Sequence, residues 1–142
     1  MMRMNIVPPS LFPLPETTIS QQLIAKNIIT DQWSKYTAVA DVFTSGDSHK
    51  SRITQLKSDK YFAKATHNSY AWRVKSSDWL IIEWRNDDGE TGAWQVILRE
   101  LQRVNAVNMI LVITRYYGWV KLYGERFRHV VDASRIVLEK IK

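Results

Sequence analysis

The chain has 142 residues, with 20 Lys and Arg against 14 Asp and Glu, a formal net charge of +6 and no cysteine. That length fits one domain with one buried core, and the missing thiols exclude a disulfide framework, a cysteine nucleophile and a thiolate zinc site. His49, His67 and His129 are too scattered for a metal cluster. The longest apolar run, residues 109–113, is far short of the about 20 residues a membrane span needs, so a soluble protein of the cytoplasm or nucleus is expected.

All four prolines, Pro8, Pro9, Pro13 and Pro15, fall near the start. Proline fixes φ and removes a ladder donor, so residues 5–15 are predicted as an extended arm, with Leu11, Phe12 and Leu14 covering a core edge. Residues 18–32 read as a helix capped by Thr17 or Thr18, with Ile19, Leu23, Ile24 and Ile28 as its apolar stripe. Arm and helix form an extension over residues 1–32, ahead of a domain over residues 33–142. Residues 36–43 are rich in β-branched and aromatic side chains and predict a strand. The turn Ser45-Gly46-Asp47-Ser48 caps a short helix over 49–57, in which Ile53 and Leu56 face a core.

Residues 65–74 and 79–84 are two further strands, joined as a hairpin by a polar turn. The loop at 86–90 leads to a helix from about 91 to 104 that buries Ile97, Leu98, Leu101 and Val104. Residues 107–113 predict a covered strand. A final helix carries Phe127, Val130, Val131, Ser134, Val137, Leu138 and Ile141 on one stripe, with Arg128, Asp132, Arg135, Glu139 and Lys142 opposite. From Tyr36 onward the order β-α-β-β-α-β-α predicts an α+β sandwich, a four-stranded mixed sheet with helices on one face.

Two segments carry candidate chemistry. The first pairs Thr66-His67-Asn68, at the start of a strand, with Asp87-Asp88-Gly89-Glu90-Thr91. Three carboxylates in four residues repel one another unless a cation or backbone amides compensate, and Arg115, just after the buried strand, is the candidate cation. A histidine beside carboxylates can act as acid or base or join oxygen ligands around a hard metal. The same residues also make ordinary turn and cap chemistry, with His67 and Asn68 hydrogen-bonding the loop and pinning the turn that starts the next helix. The second segment interleaves Arg115, Lys121, Arg126 and Arg128 with Tyr116, Tyr117, Trp119 and Tyr123. Such a face suits a protein interface or stacked bases held by phosphate contacts.

Ala65-Thr66-His67-Asn68, Asp87-Asp88-Gly89-Glu90-Thr91 and Arg115-Tyr116-Tyr117-Gly118, in this order and spacing, resemble the signatures of the Impact family, whose shared domain also forms the N-terminal half of the bacterial YigZ proteins. Glu125-Arg126-Phe127-Arg128-His129 is similar to a run of the family's eukaryotic branch. The resemblance implies an α+β fold similar to the C-terminal domain of a small-subunit ribosomal protein, with no established catalysis and no cofactor. It also implies a role in translation under amino-acid starvation, by binding the activator of the starvation kinase in competition with that kinase. Actin is a further partner class of the family. The understood eukaryotic regulators carry an additional N-terminal domain, so this chain is expected to be a single-domain relative. Trp94, Trp119 and Tyr123 stand where the family usually has glycine.

The leading expectation is a non-enzymatic protein-interaction module whose contacts are Arg115, Tyr116, Tyr117, Trp119, Lys121, Tyr123, Arg126 and Arg128. RNA or ribosome binding through the same face is the alternative. An uncharacterised hydrolase-like or metal site at His67, Asp87, Asp88 and Glu90 is the third.

Overall fold

The computed structural model describes residues 4–7 and 14–141. Pro8, Pro9, Leu11, Phe12 and Pro13 of the expected arm, and Lys142, lie outside the described residues. The described start of the arm is a strand, β1 (Asn5–Val7), which pairs antiparallel with Ile81, Ile82 and Glu83. Leu14 is exposed rather than covering a core.

The helix expected over 18–32 is instead a strand, β2 (Leu23–Asp31), antiparallel to β3 (Ser34–Val42). A register break between Ala25 and Ile29 explains the misreading. Asn27 sits there at φ 50°, so the period-two alternation is interrupted. Leu23 and Ile28 thereby reach the same core although their spacing mimics a helical stripe. The extension is thus no separate helix: both of its described strands belong to the sheet.

The remaining strands are β4 (His67–Lys75), β5 (Ile81–Asn86) and β6 (Met109–Tyr116). They complete a six-stranded sheet in the order β1-β5-β4-β6-β3-β2. It has six strands where four were expected, and every strand pair is antiparallel where a mixed sheet was expected. The additional two strands are those hidden in the segment before Trp33.

Helices also cover both faces rather than one. Ala38, Ala40, Ala71, Met109, Leu111 and Ile113 point to α3 (Ala93–Arg103) and α4 (Glu125–Glu139), meeting Ile97, Leu101, Val130 and Val137. The alternate positions Val39, Tyr70, Trp72, Val74, Ile110 and Val112 point the other way. There Phe62 of α2 (Lys60–Ala63) and the half-buried Ile53 and Leu56 of α1 (His49–Leu56) cover them. The strand β6 is therefore apolar at nearly every position because both its faces are buried. As expected, Ser48 caps α1, accepting from the Ser51 amide at 3.3 Å. Among the described residues no helix is long and apolar enough to cross a membrane.

Candidate interaction site and its internal lock

Register brings the two candidate segments together. His67 of β4 lies opposite Arg115 of β6, and the loop after β5 folds back over this end of the sheet. That loop needs left-handed backbone at Asp88 (φ 50°) and Gly89 (φ 82°). Gly89 is suited twice, since it adopts this conformation without strain and a Cβ there would stand 3.3 Å from the His67 ring. The Asn86 side chain accepts from the Asp88 amide at 2.8 Å and sets the turn.

The strand then grips the loop. His67 Nδ1 donates to the Asp88 carbonyl oxygen at 2.8 Å, leaving Nε2 3.3 Å from Glu90 Oε2. The Asn68 amide donates to Asp88 Oδ2 at 2.7 Å, and the Ser69 hydroxyl donates to the Asp87 carbonyl at 2.6 Å. The Asn68 side chain donates to the Phe62 carbonyl at 3.0 Å and accepts from Thr114 Oγ1 at 2.8 Å, so this buried amide is satisfied on both sides. Arg115 Nη1 meets Glu90 Oε1 at 2.7 Å, with both side chains buried. The cation that the carboxylate cluster requires is thus Arg115, as the sequence suggests.

This arrangement makes most of its hydrogen bonds internally, although Asp87 Oδ1 and Arg115 Nε are buried without a partner. Asp88 and Glu90 are engaged by Asn68, His67 and Arg115, and Asp87 Oδ2 accepts from the Gly92 amide at 3.4 Å. Among the described residues no group of three or more His, Asp and Glu side chains is placed to hold a metal ion. Thr66, His67, Asn68, Asp87, Asp88, Gly89 and Glu90 form one lock with Arg115, whereas Thr91 is exposed beside it. Behind the lock sits Tyr36, whose hydroxyl is buried without a hydrogen bond. Burial pushes that hydroxyl up to about 12, against the opposing pull of Arg115.

The lock continues outward into the aromatic segment. Thr66 Oγ1 accepts from the Tyr117 amide at 2.9 Å, and Ser34 Oγ accepts from the Gly118 amide at 3.1 Å. Gly118 lies against the β2–β3 turn so closely that a Cβ would come within 2.2 Å of the Trp33 carbonyl carbon. Only glycine fits there, and it joins two turns that each raise an indole into solvent. Trp33 is 76% exposed at φ 72°, and Trp119 is 87% exposed at φ 65°. Both are bulky residues held in left-handed backbone outside the core, as is Trp79 in the β4–β5 turn, 75% exposed at φ 64°.

Between them runs a shallow groove of about 590 Å³, lined by Asn27, Trp33, Lys35, Tyr61, Tyr116, Tyr117, Gly118 and Trp119. The Tyr117 and Trp119 rings stand 5.5 Å apart at 56°, and Tyr61 and Tyr116 5.0 Å apart at 45°. Tyr116 donates its hydroxyl hydrogen to the Tyr61 carbonyl. Of the other expected contact residues, Lys121, Tyr123 and Arg128 are exposed outside the groove lining. Arg126 is half-buried over the Phe127 ring at 4.8 Å, and Arg115 faces inward. Trp94 lies elsewhere, stacked on Arg85 at 3.6 Å.

Trp33, Lys35, Tyr61 and Asn27 escape the sequence reading. Trp33 is detectable once residues 23–31 are seen as a strand, since it then falls in a hairpin turn; nothing local places Tyr61 beside it. A separate cavity of about 270 Å³ lies under α1, where Asp41 and Arg52 pair with each other at 3.1 Å and Asp59 caps α2.

Residues 32–138 match the family model of the Impact N-terminal domain. The Protein IMPACT homolog of Dictyostelium discoideum is 34% identical over 110 residues, covering 78% of this chain and 32% of that protein. Protein IMPACT of Rattus norvegicus is 33% identical over 111 residues, covering 78% of this chain and 35% of that protein. The chain therefore spans about a third of the length of the curated relatives it matches. The crystal structure of a hypothetical protein shares the fold, with a TM-score of 0.68 and 19% identity over 86% of this chain and 59% of the other. On the sequence match over most of its length, the chain belongs to the Impact N-terminal domain family.

Proposed function

We propose that this chain is a non-enzymatic protein-interaction module in the regulation of translation, of the kind the Impact resemblance implies. It would act by capturing a protein partner, with the activator of the starvation kinase as the first candidate and actin as the second. The observation that carries this reading is the pair of solvent-exposed indoles, Trp33 and Trp119, on two turns joined by the close Gly118 contact. Exposed Trp and Tyr on a rigid frame are the side chains that dominate protein interfaces. The motif residues behind them support the reading in a different way, because their hydrogen bonds are made to one another.

Affinity capture from lysate at physiological salt, with and without nuclease, tests the proposal. The expected result is a nuclease-resistant set of proteins that includes the activator and falls away with Trp33→Ala and Trp119→Ala. Capture of ribosomal material that nuclease abolishes would replace the proposal with RNA binding, which the cations around the groove make the competing reading.

A further inference from the structure

We infer that the aromatic groove takes an acidic, extended peptide segment, one whose carboxylates flank an apolar side chain. The inference rests on the protein-docking reading above and names the chemistry of what docks.

Charge complementarity is the first argument. The groove lining contains one charged side chain, Lys35, and no carboxylate. Its surroundings add cations: Lys26 lies 4.2 Å over the Tyr61 ring, and Lys60, next to Tyr61 in the chain, is exposed. Asp59, the carboxylate whose charge reaches Tyr116, is occupied as the cap of α2, accepting from the Tyr61 amide at 2.8 Å. The lysines at the rim outnumber this one carboxylate, so an incoming carboxylate finds ammonium groups to pair with.

Ring geometry is the second argument, and it separates a peptide from a nucleic acid. Bases stack on flat, open ring faces. Here the rings meet in wedges of 45° and 56°, which accept a rounded side chain better than a flat base. The arginine forks that would hold phosphate also stand outside the groove lining. Arg115 is buried against Glu90, Arg126 lies over Phe127, and Arg128 points toward Asp132 at 4.0 Å. What remains at the groove is lysine, a point charge that suits a single carboxylate.

The frame is built in advance. Asn27, at the bulge of β2, donates its amide to Thr37 Oγ1 at 2.8 Å and accepts from the Tyr61 hydroxyl at 2.6 Å. With Gly118 fixing the opposite wall, little ordering is left for the binding event.

The test uses the full chain and four fluorescent twelve-residue probes read by anisotropy. In one, glutamates flank a Leu-Phe pair; in the second, lysines replace the glutamates; in the third, serines replace them; the fourth is oligouridylate. The glutamate probe is expected to bind with a Kd on the order of micromolar and to weaken as salt is raised. Trp33→Ala and Trp119→Ala should each weaken it by about tenfold or more. Lys35→Glu should weaken it as well, while Lys35→Arg keeps it. Thermal melts of these variants should stay within about 2 °C of wild type, since the substituted side chains pack on no core. Equal binding of the serine or lysine probe, tighter binding of oligouridylate, indifference to the two Trp substitutions, or no binding of the glutamate probe overturns the inference. Trp119-dependent capture from lysate without glutamate-probe binding would do so while leaving the docking reading intact. Probe binding with Trp119-independent capture would have the reverse meaning.

Discussion

Two buried arginine–glutamate pairs stand at opposite ends of β4. At one end Arg73 Nε meets Glu83 Oε2 at 2.9 Å, with Arg73 Nη1 donating to the Ala106 carbonyl at 2.9 Å and Gln102 donating to both Glu83 oxygens. At the other end Arg115 meets Glu90, but its Nε is buried without a partner, and Glu90 also faces the imidazole of His67. The first pair ties β4, β5, α3 and the α3–β6 turn, and the β1 strand pairs alongside Glu83. The second joins a loop, a strand and, through Ser34 and Gly118, the two turns that carry the exposed indoles. The same residue types therefore serve two ends: a saturated pair closes the fold, while an incompletely saturated pair sets the position of an outer surface.

That comparison is most sharply broken at the saturated end. Glu83→Gln leaves Arg73 buried without its counter-charge and should cost about 3–5 kcal/mol in urea unfolding, by the usual penalty for breaking a buried pair. Partner capture by the fraction that remains folded should not change. Glu90→Gln likewise leaves a buried arginine without its counter-charge, with only the Ser34 hydroxyl at 3.5 Å beside it, and should cost a similar amount, about 3–5 kcal/mol. Unlike Glu83→Gln, it should shift the NMR signals of Trp33 and Trp119 and weaken capture in the folded protein.

His67→Ala should cost about 1–2 kcal/mol, removing one hydrogen bond to the Asp88 carbonyl and the ring that packs on Gly89. His67→Gln should recover part of that loss. Recovery of stability without recovery of capture would show that His67 acts beyond the lock.

The smallest effect is one of pH. His49 stacks on Trp84 at 4.8 Å, and burial, helped by the neighbouring Lys50 charge, lowers its pKa from the ordinary value of 6.5. Its neutral form is the one the fold favours, so the unfolded chain binds the proton more readily. The contribution is present above the ordinary value and is lost as pH falls through the lowered one. Melting curves between pH 7 and 5 should show a decline that His49→Gln reduces.

Most of the second segment's geometry was out of reach of the sequence. Arg115 reads there both as a contact cation and as the counter-charge of the Asp87–Glu90 loop, and nothing local decides that it turns inward while Lys121 turns out. That difference arises because β6 is covered on both faces and ends against the Glu90 loop. The Asp87–Glu90 turn and its grip by His67 and Asn68 were more legible, since clustered carboxylates and a polar insert in an apolar strand both demand partners.

The sequence by itself determined the α+β class, the strands and the helices other than α2 from Tyr36 onward, and the pairing of His67 and Asn68 with the Asp-rich loop. It could do so because side-chain periodicity and turn chemistry are local properties. Only the tertiary structure decided that residues 23–31 form an edge strand, that helices cover both faces, and that Trp33, Tyr61 and Trp119 line one groove. A bulge disguises the period of β2, and residues far apart in the chain meet only through strand register and the close approach allowed by Gly118.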